Sequence, residues 1–163
     1  MATYAASIPL ADHATREFAA MSRLSEASAT ASKAAGIAPE ILEFVKYRAS
    51  LLNGCSYCIH MHAHDARQLG VPEATLVALA DWDDSDAFDA QERAALALTD
   101  AMTYQAREAG IDPAALTGAI DAFGEAAASH LAVAVTVINA WNRVGVAAGM
   151  QPEPAWGQAP ATS

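Results

Sequence analysis

Basic residues are scarce in this sequence: nine Lys and Arg stand against nineteen Asp and Glu, a formal net charge of −10 at pH 7. A nucleic-acid backbone must be neutralised by clustered cations, and the few present here are scattered. The same deficit disfavours anionic lipid surfaces, so neither nucleic acid nor membrane is an expected partner, and the acidity reads as solubility. Long apolar runs are missing too. The longest, around residues 131–141, is interrupted by Thr136 and Asn139, short of the roughly 20 residues a bilayer span requires. Residues 1–10 have neither a basic segment nor a continuous apolar stretch, which predicts a cytoplasmic protein without a secretory signal. There are two cysteines, Cys55 and Cys58. In a reducing compartment so close a pair points to catalysis or metal, not to a structural staple.

No stretch sustains the alternation of a strand. Even the β-branched run Val133, Val135, Val137, Ile138 is flanked by alanine-rich helical sequence and reads as a buried helix. What is abundant is apolar: 53% of the 163 residues are hydrophobic and the mean hydropathy is +0.15. Much of this is alanine, the strongest helix former. One all-α domain of six or seven helices over residues 1–150 follows, with a Pro-rich tail over 151–163. The apolar surplus exceeds what a small monomer hides and predicts a homo-oligomer.

Helix boundaries are written locally. A first helix runs from Asp12 to Ala35 before Gly36, and a second starts at Pro39 and stops at Gly54. A third opens at Cys55 and closes before Gly70, and a short one spans Pro72 to Leu79. Residues 81–86 form an acidic loop. Asp89 with Glu92 is a capping box for a helix to about Ala109. Asp112-Pro113 starts a helix to Phe123, and the last runs from Glu125 to Ala148. The tail is expected to be loose or strapped onto a neighbour.

The chemistry gathers in Cys55-Ser-Tyr-Cys58-Ile-His-Met-His62. On a helix, Cys55, Cys58 and His62 fall on one stripe at spacings of three and four. Helix dipole and imidazole both favour thiolate, and the spacing of the cysteines permits a disulfide. This suits a cycle in which a thiolate opens an O–O bond, becomes sulfenic acid, and is resolved by the second thiol; a reductant then reopens the disulfide. Cys58, one turn from His62, is the expected attacking thiol. Cys55, at the helix tip, is expected nearer solvent, to resolve the sulfenate and meet the reductant. Glu43 lies roughly 16 Å along its helix from Gly54, and His62 about 10 Å along the next from Cys55. If the chain reverses at Gly54, Glu43 reaches His62 and completes a Glu–His–Cys relay.

Other roles compete. Cys55, Cys58 and His62 with His60, His64 or Glu43 would supply four zinc ligands, but ligands on one stripe close a tetrahedron poorly. His60 and His64 read as a polar edge, and His13 and His130 stand alone. Tyr57 shapes the mouth of the site or merely packs. Lys46 and Arg48 are expected to serve ion pairs at a subunit contact.

The run from Glu43 to His62, the following Ala66-Arg67-Gln-Leu-Gly70 and the later Asn139-Ala-Trp-Asn-Arg143 resemble the alkylhydroperoxidase AhpD-like group of the carboxymuconolactone decarboxylase superfamily. The resemblance covers most of residues 39–148. It implies an all-α fold assembling into trimers or hexamers, and peroxidase or disulfide-reductase activity on hydroperoxides without haem, flavin or metal cofactor. It also implies that Cys58 forms the sulfenic acid, Cys55 resolves it, and Glu43 and His62 relay protons. The best-known members are reduced by a lipoyl-bearing partner and carry a histidine where this chain has Tyr57, so one relay group is missing. A lactone decarboxylase using His62 and Glu43, and a non-catalytic redox sensor, are the competing functions.

Overall fold

The computed structural model describes residues 6–105 and 110–157. They contain helices α1 (Leu10–His13), α2 (Thr15–Ala34), α3 (Pro39–Asn53), α4 (Ser56–Gln68), α5 (Glu73–Ala78), α6 (Ala90–Tyr104) and α7 (Pro113–Ala147). Short 3-10 turns cover Leu79–Asp84 and Pro154–Trp156, and no strand occurs among the described residues. The expected all-α class holds.

Local chemistry explains the joints. Pro39 sits in the first turn of α3, and Gly54 ends it in the left-handed conformation at φ 67°. The Asp89 carboxylate accepts from the Gln91 and Glu92 amides while the Glu92 side chain accepts from the Asp89 N–H, a complete capping box. Within α7, Gly124 at φ 76° and ψ 159° breaks the helix where the sequence places the Phe123/Glu125 boundary.

Two expectations change, and a third enters residues outside those described. The first helix is divided at Ala14, whose backbone at φ −102° and ψ 44° separates α1 from α2. Much of the acidic loop is the Leu79–Asp84 turn, held by Arg93, which donates to the carbonyls of Trp82, Asp83 and Ser85. Helix α6 ends at Tyr104, and its expected continuation to Ala109 enters residues outside those described.

Helix α3 is the organiser, because it is apolar on both sides. Ile41, Leu42 and Val45 pack with Leu98, Leu131 and Val135 of α6 and α7. On its other side Phe44 and Tyr47 pack with Leu76, Leu79, Phe88 and Leu96. Burying each such side chain contributes about 1.5–3 kcal/mol. Helix α7 is the one element among the described residues long and apolar enough to span a bilayer by length and composition. It is broken at Gly124 and packs against α6, α3 and α2.

Polar contacts fix the register of α3 on α7. Asn53 Nδ2 donates to Asn139 Oδ1 at 3.0 Å, and Asn139 Nδ2 donates to Thr103 Oγ1 at 3.0 Å. Asn142, fully buried, meets the Ser50 hydroxyl at 2.9 Å. These contacts lie just before Gly54 and hold the turn into α4.

Candidate active site

The reversal at Gly54 lays α4 back along α3, and Cys55 becomes the N-cap of α4. Its Sγ accepts from the Cys58 amide at 3.3 Å, so the positive end of the helix acts on Cys55 sulfur. The two cysteines are joined as a disulfide across a Cα–Cα distance of 5.3 Å. Both are buried, Cys55 at 0% exposure and Cys58 at 3%.

That burial corrects the expectation for Cys55. A helix tip reads as exposed, but α7 and the segment after it cover this one. A Cβ on Gly145 would lie 2.8 Å from Cys55 Sγ, 3.5 Å from Cys58 Sγ and 3.9 Å from Met150 Sδ. Helix α7 therefore approaches the disulfide as closely as a bare backbone allows. Sequence reasoning missed Gly145; the available signal was a glycine inside the Val144–Val146 stretch of an otherwise strong helix.

Glu43 does reach His62, as the helix arithmetic anticipated: Nδ1 of the imidazole and Glu43 Oε2 are 2.8 Å apart, both groups buried. Lys46 Nζ holds the other carboxylate oxygen at 2.7 Å. Burial alone would raise the Glu43 pKa, but the His62 hydrogen bond and charge, with the Lys46 ammonium, bring it below the usual carboxylate value. The carboxylate fixes the ring so that Nε2 is free, and this atom is buried without a partner.

A cavity of about 510 Å³ opens between α2, α3, α4 and α7 and is lined by Cys58 and His62. Cys55 is not on its wall; it lies behind Cys58. The wall is mostly apolar, with Phe18, Leu42, Met61, Ile138, Trp141 and Met150. It also carries a serine row from α2, Ser22, Ser25, Ser28 and Ser32, that sequence reasoning passed over because serines on a helix look like a solvated face. Tyr57 stands on this wall and meets Trp156 edge-on at 5.0 Å between centroids. The tail is thus strapped onto its own chain as far as Gly157. Burial and the Glu153 charge raise the Tyr57 pKa.

The remaining candidates lie elsewhere. Arg48 makes a bidentate pair with Asp100 at 2.8 Å and also donates to Leu79 and Ala80 carbonyls. Arg48 and Lys46 thus both make ion pairs within the chain. His60 bonds the Ser56 carbonyl oxygen at 2.8 Å through Nδ1, and neither His60 nor His64 lines the cavity. The one close ligand cluster among the described residues is Glu43, His62 and Asp65, within 4.8 Å. Its central carboxylate already holds the Lys46 ammonium, which repels a cation.

Comparison with known proteins agrees with this architecture. The carboxymuconolactone decarboxylase family model matches residues 16–101. The uncharacterized protein YdfG of Bacillus subtilis (strain 168) is 33% identical over 107 residues, 66% of this chain and 72% of that protein. A crystal structure from Agrobacterium tumefaciens superposes with a TM-score of 0.79 at 29% identity, covering 90% of this chain and 97% of its own. That protein is described as of unknown function and as a candidate antioxidant defence protein AhpD. The chain belongs to the carboxymuconolactone decarboxylase family, with the fold of its AhpD-like members.

Proposed function

We propose that this protein is a thiol peroxidase that reduces organic hydroperoxides through Cys55 and Cys58. The observation that carries the reading is the bonded Cys55–Cys58 pair with only Cys58 on the wall of an apolar cavity, beside His62. In the reduced protein, Cys58 thiolate attacks the terminal oxygen of R–O–OH. The O–O bond breaks, Cys58 becomes sulfenic acid, and the departing alkoxide takes the proton that His62 Nε2 received from the Cys58 thiol. Cys55 thiol then attacks Cys58 Sγ and gives up its proton, and the sulfenic hydroxyl leaves as water. The balance is hydroperoxide plus dithiol to alcohol, water and disulfide.

A dithiol reductant, with a lipoyl-bearing protein as the family precedent, restores the pair by exchange. Its thiolate attacks Cys58, the sulfur open to the cavity, and Cys55 leaves. The Cys58 amide and the helix N-terminus stabilise that leaving thiolate. Cys55 thus departs inside the protein instead of meeting the reductant. The active form is proposed as a cytoplasmic trimer or hexamer, which light scattering tests.

The deciding experiment adds limiting cumene hydroperoxide to pre-reduced protein and counts thiols and peroxide together. Two thiols lost per peroxide are expected, with no consumption by Cys58→Ser and a dimedone-reactive sulfenic acid on Cys58 in Cys55→Ser. Thiols persisting while peroxide remains would reject the reading. The Glu43–His62 pair also suits acid/base chemistry on a lactone, which the family name brings forward. A Cys55→Ser, Cys58→Ser protein would retain that activity and lose the peroxidase.

A further inference from the structure

Two buried polar atoms on the cavity residues have no hydrogen-bond partner among the described residues, His62 Nε2 and Ser32 Oγ. The reaction above uses the first and leaves the second unexplained. Ser32 is fully buried at 0% exposure, and a buried hydroxyl without a hydrogen bond costs about 1–3 kcal/mol. Helical serines commonly escape this by bonding the carbonyl four residues back, as Ser22 does to Phe18 and Ser129 to Glu125. Ser32 does not. Ser28, one turn before it, is also buried and lines the same cavity.

Helix register locates this hydroxyl. Helices α2 and α7 pack beside the cavity, with Ser25 Oγ accepting from the Trp141 indole at 2.6 Å and Phe18 against the same ring. The Ile8 N–H ahead of α2 donates to the Ala147 carbonyl at the end of α7 at 2.8 Å, so the two helices run in opposite directions. Seven residues separate Ser25 from Ser32 on one helix, and seven separate Trp141 from Ala134 on the other. Each interval is about 10 Å. Cys58 belongs to the Trp141 end, because Met150, which follows α7, flanks the sulfurs. By this register Ser32 stands toward the opposite end of the cavity wall.

The charge of the wall narrows the ligand. Lys46 is bound by Glu43, and Glu26 is acidic. A carboxylate or phosphate would meet Glu26 with no unengaged cation to balance it. We propose that Ser32, supported by Ser28, forms a second polar subsite for a neutral hydroxyl or carbonyl group. That group lies at the far end of a long apolar substrate, away from the reacting sulfur. The hydroperoxide at the near end rests on the peroxidase reading; the subsite does not.

The test separates the two. Calorimetric titration of the oxidised protein with linear alcohols and the matching α,ω-diols, from hexane to dodecane, needs no turnover. At the fitting length the diol should bind about fivefold tighter than the mono-alcohol, the yield of one added hydrogen bond. Ser32→Ala should erase the difference, while Ser22→Ala, whose hydroxyl is satisfied by Phe18, should keep it. No diol preference at any length, or one that survives Ser32→Ala, overturns the subsite. A kinetic comparison of alkyl and ω-hydroxyalkyl hydroperoxides of the fitting length should place the Ser32→Ala effect in KM and leave kcat unchanged. If neither hydroperoxide is consumed, the peroxidase reading fails, and the titration still decides the subsite.

Discussion

At the residue scale, the site depends on a carboxylate held ionised where burial opposes it. Glu43 is stabilised as an anion by His62 and Lys46, and its folded pKa is lower than the ordinary 4.5. Stability from such a group is complete above the unfolded value and is lost as pH falls through the folded one. Glu43→Gln should therefore destabilise the protein by about 1–3 kcal/mol at pH 7. The deficit should shrink on acidification below pH 4.5. Urea unfolding of both proteins from pH 7 to 3.5 checks this, and a gap independent of pH would mean the carboxylate charge is not what stabilises the pair. The partnership was legible in the sequence because it needed only two helical rises and one reversal at Gly54. The depth of Cys55 was not, since what covers the α4 tip comes from residues 145–150, far along the chain.

Elements were readable where the backbone itself dictates the joint: Pro39, Gly54, the Asp89–Glu92 box, and the break before Glu125. Each is a local statement about φ or an unpaired amide. What a helix faces is not local, and so the serine row of α2 and the glycine of α7 were opaque. Gly145 and Gly118 make the point, since both lie in α7 and look alike in sequence. An added Cβ at Gly118 meets nothing within 4 Å, whereas at Gly145 it meets Cys55 Sγ at 2.8 Å. Gly118→Ala should stabilise by about 0.5–1 kcal/mol through helix propensity. Gly145→Ala should destabilise the oxidised protein by about 1–3 kcal/mol through overpacking. Thermal unfolding of the two variants should move in opposite directions; parallel shifts would remove the argument that α7 is pressed against the disulfide.

On the scale of the whole molecule, the cavity is closed by pieces from both ends of the chain, Phe18 from α2 and Met150 from the segment after α7. The Trp156–Tyr57 contact ties the tail to the rim, an aromatic pair worth about 0.5–1.5 kcal/mol. Trp156→Ala should accordingly speed iodoacetamide alkylation of Cys58 in the reduced protein by about two- to tenfold. An unchanged rate would show that the tail does not govern access. The disulfide itself has a further consequence, in chain entropy. Its partners are three positions apart, so it closes one of the smallest rings a protein can make. Such a ring restrains the unfolded chain by only about 2 kcal/mol, and the apolar clusters around α3 do not depend on it. In the proposed peroxidase cycle the bond would therefore open and close on a standing architecture, without the chain having to refold.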